Sequence, residues 1–141
     1  MRHPSSARAV HILLWVALLV GACGALKRPD VAVTFTDGDC TFRGPSDDVP
    51  NPIVVRVENP TENDYALVIA VLKEGATQAD LEAWRTEGTP PFLEHMLAHL
   101  DPGPGKEAEW TVDLTEGREN YFICAEPAGV LAVPAVFVPG E

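Results

Sequence analysis

The sequence predicts a mainly β fold, a sandwich of short strands with a short helical insertion. At least six segments have the pattern of short strands, turn signals separate them, and a single stretch, 77–100, has helical spacing of its apolar residues. The length of 141 residues suits one domain, and the apolar fraction of 46% is typical of a globular protein. The formal charge of −11 argues against a nucleic-acid binder, because phosphates repel a surface of the same sign.

Residues 1–22 have the pattern of a signal peptide. Arg2 and Arg8 precede the apolar run 10–20, which is interrupted only by His11, is too short to span a bilayer and suits an h-region. The sequence VGAC at 20–23 resembles the lipobox of bacterial lipoproteins, which implies that Cys23 is lipidated and becomes the first mature residue. The alternatives are an ordinary secretory peptide with an incidental cysteine, or a short buried helix.

A lipid on Cys23 would hold the following domain close to the bilayer. Residues 23–30 comprise the lipidated cysteine and a tether of seven residues, which spans at most roughly 25 Å. Two of the 10 basic residues precede Cys23 and all 21 acidic residues follow it, so the mature chain has 8 basic residues and a formal charge of −13. An anionic bilayer repels that charge, so attachment depends on acyl chains.

The chain after the tether begins with three predicted strands. Segments 31–36 and 53–58 alternate between apolar and polar residues, as strands with one buried face do. Segment 65–72 is apolar on both faces and is therefore placed at the centre of a sheet.

The stretch 77–100 predicts two short helices. Residues 77–80 resemble a capping box, Leu81 and Trp84 lie three apart, and Gly88 ends the first helix. Residues 89–91 start the second helix. Its apolar stripe consists of Phe92, Leu93, Met96, Leu97 and Leu100.

Strands at 109–114, 121–125 and 130–138 complete the predicted fold. The Pro104-Gly105 turn, the alternating strand after it, the turn at Gly117 and the aromatic strand ending in Cys124 resemble the cupredoxin-like family. The resemblance covers about residues 101–138, with weaker support from 31–72. It implies a cupredoxin-like or immunoglobulin-like sandwich over residues 31–141.

The resemblance does not extend to the copper ligands of that family. Blue-copper sites use two His, one Cys and commonly a Met, and in the family the last His and the Met follow the Cys within a short loop. The matching segment 124–134, CAEPAGVLAVP, contains neither, and segment 63–72 contains no upstream His. Fold-level likeness does not transfer a metal site, so we expect no blue-copper chemistry and no cofactor.

The chain has three cysteines, and two of them keep a thiol if Cys23 carries a lipid. Cys40 and Cys124 then most simply pair in an oxidising compartment. A metal thiolate or a catalytic thiol would need polar partners, and the sequence neighbours of both cysteines provide none. A structural disulfide is the favoured interpretation.

The histidines His95 and His99 are spaced i, i+4 on the second predicted helix. With Met96 and Glu94 they could bind copper or zinc from one helix face. The zinc-protease motif needs a glutamate directly after the first histidine, where this sequence has Met96. Both histidines also lie at the edge of the apolar stripe. Ordinary boundary residues are therefore the favoured interpretation.

Acidic turns and a serine provide weaker candidates. Asp37, Asp39, Asp47 and Asp48 could hold Ca²⁺ if their loops meet, but the spacing does not match an EF-hand, and solvated turns are favoured. Ser46, the sole serine after the signal region, would need one of the histidines as its base, and the sequence does not place them together.

The sequence thus predicts an extracytoplasmic, lipid-anchored binding or interaction module with no catalytic residues. Its expected partners are the membrane, through the anchor, and an envelope protein; nucleic acid is not expected. The alternative is a copper-binding or electron-transfer accessory protein that uses His95, Met96 and His99. A hydrolase with an unrecognised site is a weaker alternative. A pocket holding both histidines and an acid would favour the metal interpretation, and a flat apolar patch would favour interaction.

Overall fold

The computed structural model of the protein describes residues 27–140. The predicted signal peptide 1–22, the lipidation site Cys23 and the first part of the tether lie outside these residues. Among residues 27–140 we find no helix that could span a bilayer.

The described residues form two packed sheets. Their elements are β1 (Val31–Thr36), β2 (Asp39–Arg43), β3 (Ile53–Asn59), β4 (Ala66–Leu72), α1 (Gln78–Glu82), β5 (Leu93–Leu100), β6 (Lys106–Val112), β7 (Asn120–Glu126) and β8 (Gly129–Phe137). Sheet A has the strand order β2-β1-β3-β6, and sheet B has the order β5-β4-β7-β8. Neighbouring strands are antiparallel except β1 and β3, which are parallel. The predicted all-β sandwich with a short helical insertion is confirmed.

The main core lies between the inner faces of the two sheets. Alternate residues of β1 and β3 are fully buried there, as the period of two in their sequences predicts. From sheet B the core receives Leu67, Ile69 and Phe122. The ring of Phe122 lies edge-on to Phe137 and to Phe42, with ring centroids 5.2 Å and 6.0 Å away.

A second apolar cluster covers the outer face of sheet B. It contains Val68 and Ala70 of β4, Ile123 of β7 and Leu81 of α1, with Trp84 packed against it. The strand β4 is buried at every position because sheet A covers one face and the segment between β4 and β5 covers the other. Its predicted central place in a sheet is confirmed.

The prediction of a second helix is wrong, because residues 93–100 form the strand β5. This strand pairs with β4, and the register shifts between Ile69 and Ala70 and between Val71 and Leu72. The extra residues in β5 at these shifts are Leu97 and Glu94, so apolar residues recur at 93, 97 and 100 as they would in a helix. Pairing with a buried strand decides the conformation against the local spacing.

The first helix is present but shorter than predicted. Thr77 is the N-cap of α1, and the capping box with Asp80 is formed in both directions, which confirms that prediction. The helix ends at Glu82 and not at Gly88. Trp84 therefore lies beyond the helix, where its backbone carbonyl accepts a hydrogen bond of 3.0 Å from the amide of Val130.

The predicted disulfide between Cys40 and Cys124 is present. Cys40 lies in β2, an edge strand of sheet A that the sequence pattern did not predict because only Cys40 and Phe42 of its residues pack against the core. Cys124 is fully buried in β7, a central strand of sheet B. The bond joins the two sheets over a sequence separation of 84, with the Cα atoms 6.5 Å apart.

Two fully buried asparagines hold the loops at the ends of the sandwich. The Oδ1 atom of Asn59 accepts hydrogen bonds from the amide and the hydroxyl of Thr61. The Nδ2 atom of Asn120 donates to the carbonyls of Thr115, Arg118 and Phe137, and its Oδ1 accepts from the Thr115 amide. These bonds compensate the cost of burying both amides.

Candidate ligand-binding cleft

A cleft of about 350 Å³ lies between the outer face of sheet B and the segment 81–90. Its floor is apolar and is formed by alternate residues of the central strands, which point away from the main core. The floor residues are Ala66 and Val68 of β4 and Ile123 and Ala125 of β7. The strand β5 adds Leu93 and Met96 at one side.

The wall opposite the floor comes from the helical insertion and the turn between β7 and β8. Leu81 and Trp84 are its large side chains, and the Trp84 ring lies edge-on to Phe92 with centroids 5.7 Å apart. Gly129, the first residue of β8, contacts this wall. A Cβ on Gly129, whose φ is +138°, would lie 2.5 Å from the Trp84 carbonyl oxygen, so only glycine permits this close approach.

Polar side chains lie at one end of the cleft. Asp64 precedes β4, Asp101 follows β5 and Glu126 ends β7. His99 lines the cleft from β5. Lysine and arginine are absent from the lining within residues 27–140.

The indole nitrogen of Trp84 lacks a hydrogen-bond partner. Among the described residues, it is the only buried side-chain nitrogen or oxygen atom in this condition. A buried donor without an acceptor costs free energy, and an acceptor atom of a bound molecule or a water would remove that cost. Trp84 lines the cleft, but its indole nitrogen itself is buried.

The structure separates the two histidines that the sequence placed on one helix face. His95 pairs with Val71 and His99 with Val68, positions three apart on β4, so the two imidazoles lie on opposite faces of the sheet. Met96 and His99 both line the cleft, whereas His95 does not. Within residues 27–140 no group of three or more His, Cys, Asp or Glu has the geometry of a metal site.

The other candidate residues have local partners. The hydroxyl of Ser46 hydrogen-bonds to the carboxylate of Asp47, not to a histidine. Asp39 accepts a hydrogen bond from the Cys40 amide, and Asp37 accepts one from the Asn63 side chain. Asp48 has a positive φ of 47° in its loop. The hydrogen bonds of Ser46, Asp39 and Asp37 are those of ordinary polar loops.

Two carboxylates elsewhere on the sandwich, Glu94 and Glu109, have basic partners among the described residues. At the start of β5, Glu94 lies 2.7 Å from the guanidinium of Arg118, and this hydrogen bond lowers the pKa of Glu94. Arg56 and Glu109 lie 3.4 Å apart on sheet A. In the described part of the chain no ion pair connects Asp64, Asp101 or Glu126 to a basic side chain.

Tyr121 is the titratable group with the largest pKa shift near the outer face of sheet B. Burial and a 2.8 Å hydrogen bond to Glu119 raise the pKa of Tyr121 to about 12. The phenol therefore ionises only at a higher pH than an exposed tyrosine does. It packs in the second apolar cluster and does not line the cleft.

Sequence reasoning missed the cleft and most of its residues. The sequence assigns Trp84 to a helical face and does not indicate that Asp64, Asp101 and Glu126 lie together. Their positions before or after apolar segments are a usable signal, but only the pairing of those strands shows that they share one end of a sheet.

Comparison of the chain with protein-family models, with curated proteins and with solved structures finds no match. The description of this protein therefore depends on its structure alone. The described residues form a disulfide-linked β-sandwich with an apolar cleft, large enough for a small molecule, on the outer face of one sheet.

Proposed function

We propose that this protein is an extracytoplasmic, lipid-anchored binding module, and that the cleft on sheet B is its binding site. The observation that carries the proposal is the cleft itself, a concave apolar surface with a few polar groups at one end. Small-molecule sites commonly have this composition, and volumes of roughly 300–1,000 Å³. The Cys40–Cys124 disulfide supports an oxidising compartment.

The proposal includes a cupredoxin-like relationship without blue-copper chemistry. Two four-stranded sheets with β1 parallel to β3, and an aromatic strand β7 that contains Cys124, support the relationship. The sulfur of Cys124 is bonded to Cys40 and does not offer a free thiolate to a metal. A binding role through the cleft needs neither copper nor electron transfer.

The lipid anchor is tested by the change Cys23→Ser. We expect the substitution to abolish metabolic labelling with a fatty acid and to alter membrane retention, because the thiol that accepts the lipid is lost. Mass spectrometry of the wild-type N-terminal peptide is the direct measurement. An unmodified Cys23 in the mature wild-type protein would contradict the anchor.

The binding site is tested with the neutral fluorescent dye Nile red. Residues 27–140 contain both sheets and both apolar clusters, so the soluble chain from residue 23 onward, carrying Cys23→Ser, is suitable material. We expect saturable enhancement of dye fluorescence and its loss in Ala125→Trp, because the indole fills the floor of the cleft. Ala32→Trp, at a half-buried position on the outer face of sheet A, is the matched control. Equal binding of Nile red by both variants would show that the cleft is not the binding site of the dye.

Copper binding is the second candidate function, and the shared position of Met96 and His99 in the cleft favours it. A thioether and an imidazole are suitable ligands for Cu(I). In a competition titration with a Cu(I) chelator, Met96→Leu and His99→Gln should each weaken binding. His95→Gln, on the other face of the sheet, should leave it unchanged. If all three variants retain wild-type affinity, the copper candidate is wrong.

A further inference from the structure

The carboxylates of the cleft meet at one end because of the strand register. Leu67 near the start of β4 pairs with Leu100 at the end of β5 and with Cys124 near the end of β7. Residues just before β4 and residues at or beyond the ends of β5 and β7 are therefore neighbours. Adjacent strands lie only about 4.8 Å apart, so Asp64, Asp101 and Glu126 create a concentrated negative potential there.

This negative charge is not neutralised by the described part of the protein. One oxygen of Asp101 accepts a 2.8 Å hydrogen bond from the Gly103 amide, which leaves its charge unpaired. The carboxylates of Asp64 and Glu126 likewise have no basic partner among residues 27–140, as is the case for most carboxylates of this acidic chain. A ligand with positive charge would be complementary to this end of the cleft.

The remainder of the cleft is complementary to an apolar body. Its floor of Ala66, Val68 and Ile123 and its wall of Leu81 and Trp84 carry no charge. An indole is also the aromatic group that attracts organic cations most strongly. The volume of about 350 Å³ fits a small molecule and not a folded partner.

We propose that the cleft binds a small organic cation, an amine or ammonium group joined to an apolar body, with the charge at the Asp64, Asp101 and Glu126 end. This inference rests on the proposed function, since it names the ligand class of the same site. The negative charge of the whole mature chain adds long-range attraction for such ligands and repels organic anions.

The test uses three probes of similar size that differ in charge: phenylbutylamine, phenylbutanol and phenylbutyrate. The soluble chain with Trp110→Phe retains Trp84 as its one tryptophan after residue 23, so indole fluorescence reports on the wall of the cleft. We expect saturable binding of the amine, an affinity for the alcohol lower by roughly tenfold, and the weakest binding for the carboxylate. Added salt should reduce the preference for the amine.

Substitution of the three carboxylates tests whether they cause the preference for the amine over the alcohol. Asp64→Asn, Asp101→Asn and Glu126→Gln should each lower the affinity for the amine by about two- to fivefold, and the triple variant should abolish the preference for the amine over the alcohol. The affinity for the alcohol should stay constant, which also shows that the variants remain folded. Glu107→Gln, an exposed charge change on sheet A, should alter neither affinity.

The outcomes separate this inference from the proposed function. If the alcohol binds as tightly as the amine, or if the triple variant keeps the preference, the cation proposal is wrong and the cleft remains a binding site. Binding of Nile red without binding of any of the three probes leads to the same conclusion. If neither Nile red nor any probe binds, both proposals are wrong.

Discussion

Replacing both disulfide cysteines, Cys40→Ala with Cys124→Ala, is expected to destabilise the domain by about 4–5 kcal/mol at most. The bond closes a loop of 84 residues and links an edge strand of sheet A to a central strand of sheet B, so it strongly limits the unfolded ensemble. Natural domains are stable by only about 5–15 kcal/mol, so the change removes a large share of the total. Chemical denaturation of the oxidised wild type and the double variant measures the difference.

The same experiment needs a control for altered packing. Reduction of the wild-type protein breaks the bond while both side chains keep almost their full volume. Reduction alone should therefore produce most of the decrease in the free energy of unfolding. A melting temperature that is unchanged in both the reduced protein and the double variant would show that the bond contributes little.

The substitution Phe122→Ala should cost about 3–5 kcal/mol, the second largest effect expected here. Phe122 is fully buried on the inner face of β7, and its ring contacts the rings of Phe42 and Phe137. Its removal leaves a cavity that two strands of sheet B and one of sheet A cannot fill without moving. Urea unfolding followed by circular dichroism gives the difference in the free energy of unfolding.

Val138→Ala is the matched control for this substitution. The side chain of Val138 is 54% exposed just beyond the last strand, so its truncation should change the stability by no more than about 0.5 kcal/mol. A loss below about 1 kcal/mol for Phe122→Ala would mean that the sandwich is not packed around this ring.

The candidate site depends on the same packing as the fold. The wall of the cleft is attached to sheet B by Leu81, by the backbone bond from Val130 to Trp84, and by the close approach of Gly129. These contacts lie on the outer face, away from the disulfide and Phe122. Ligand binding and overall stability are therefore expected to respond to different substitutions.

Features that depend on neighbouring residues were predictable from the sequence. Strict alternation predicts β1 and β3, the apolar run predicts the buried strand β4, and the capping box at Thr77 predicts the start of α1. The count of cysteines predicts the Cys40–Cys124 pair once Cys23 is assigned to lipid. Each of these signals is contained in a short segment or in the composition.

The conformation of residues 93–100 and the existence of the cleft depend on contacts between strands that are distant in sequence. The bulged strand β5 has nearly helical spacing of its apolar residues, and its pairing with β4 overrides that spacing. Asp64, Asp101 and Glu126 are distant in sequence and share one end of sheet B because antiparallel pairing brings the start of one strand beside the ends of its neighbours. Such contacts depend on register across strands, which local periodicity does not contain.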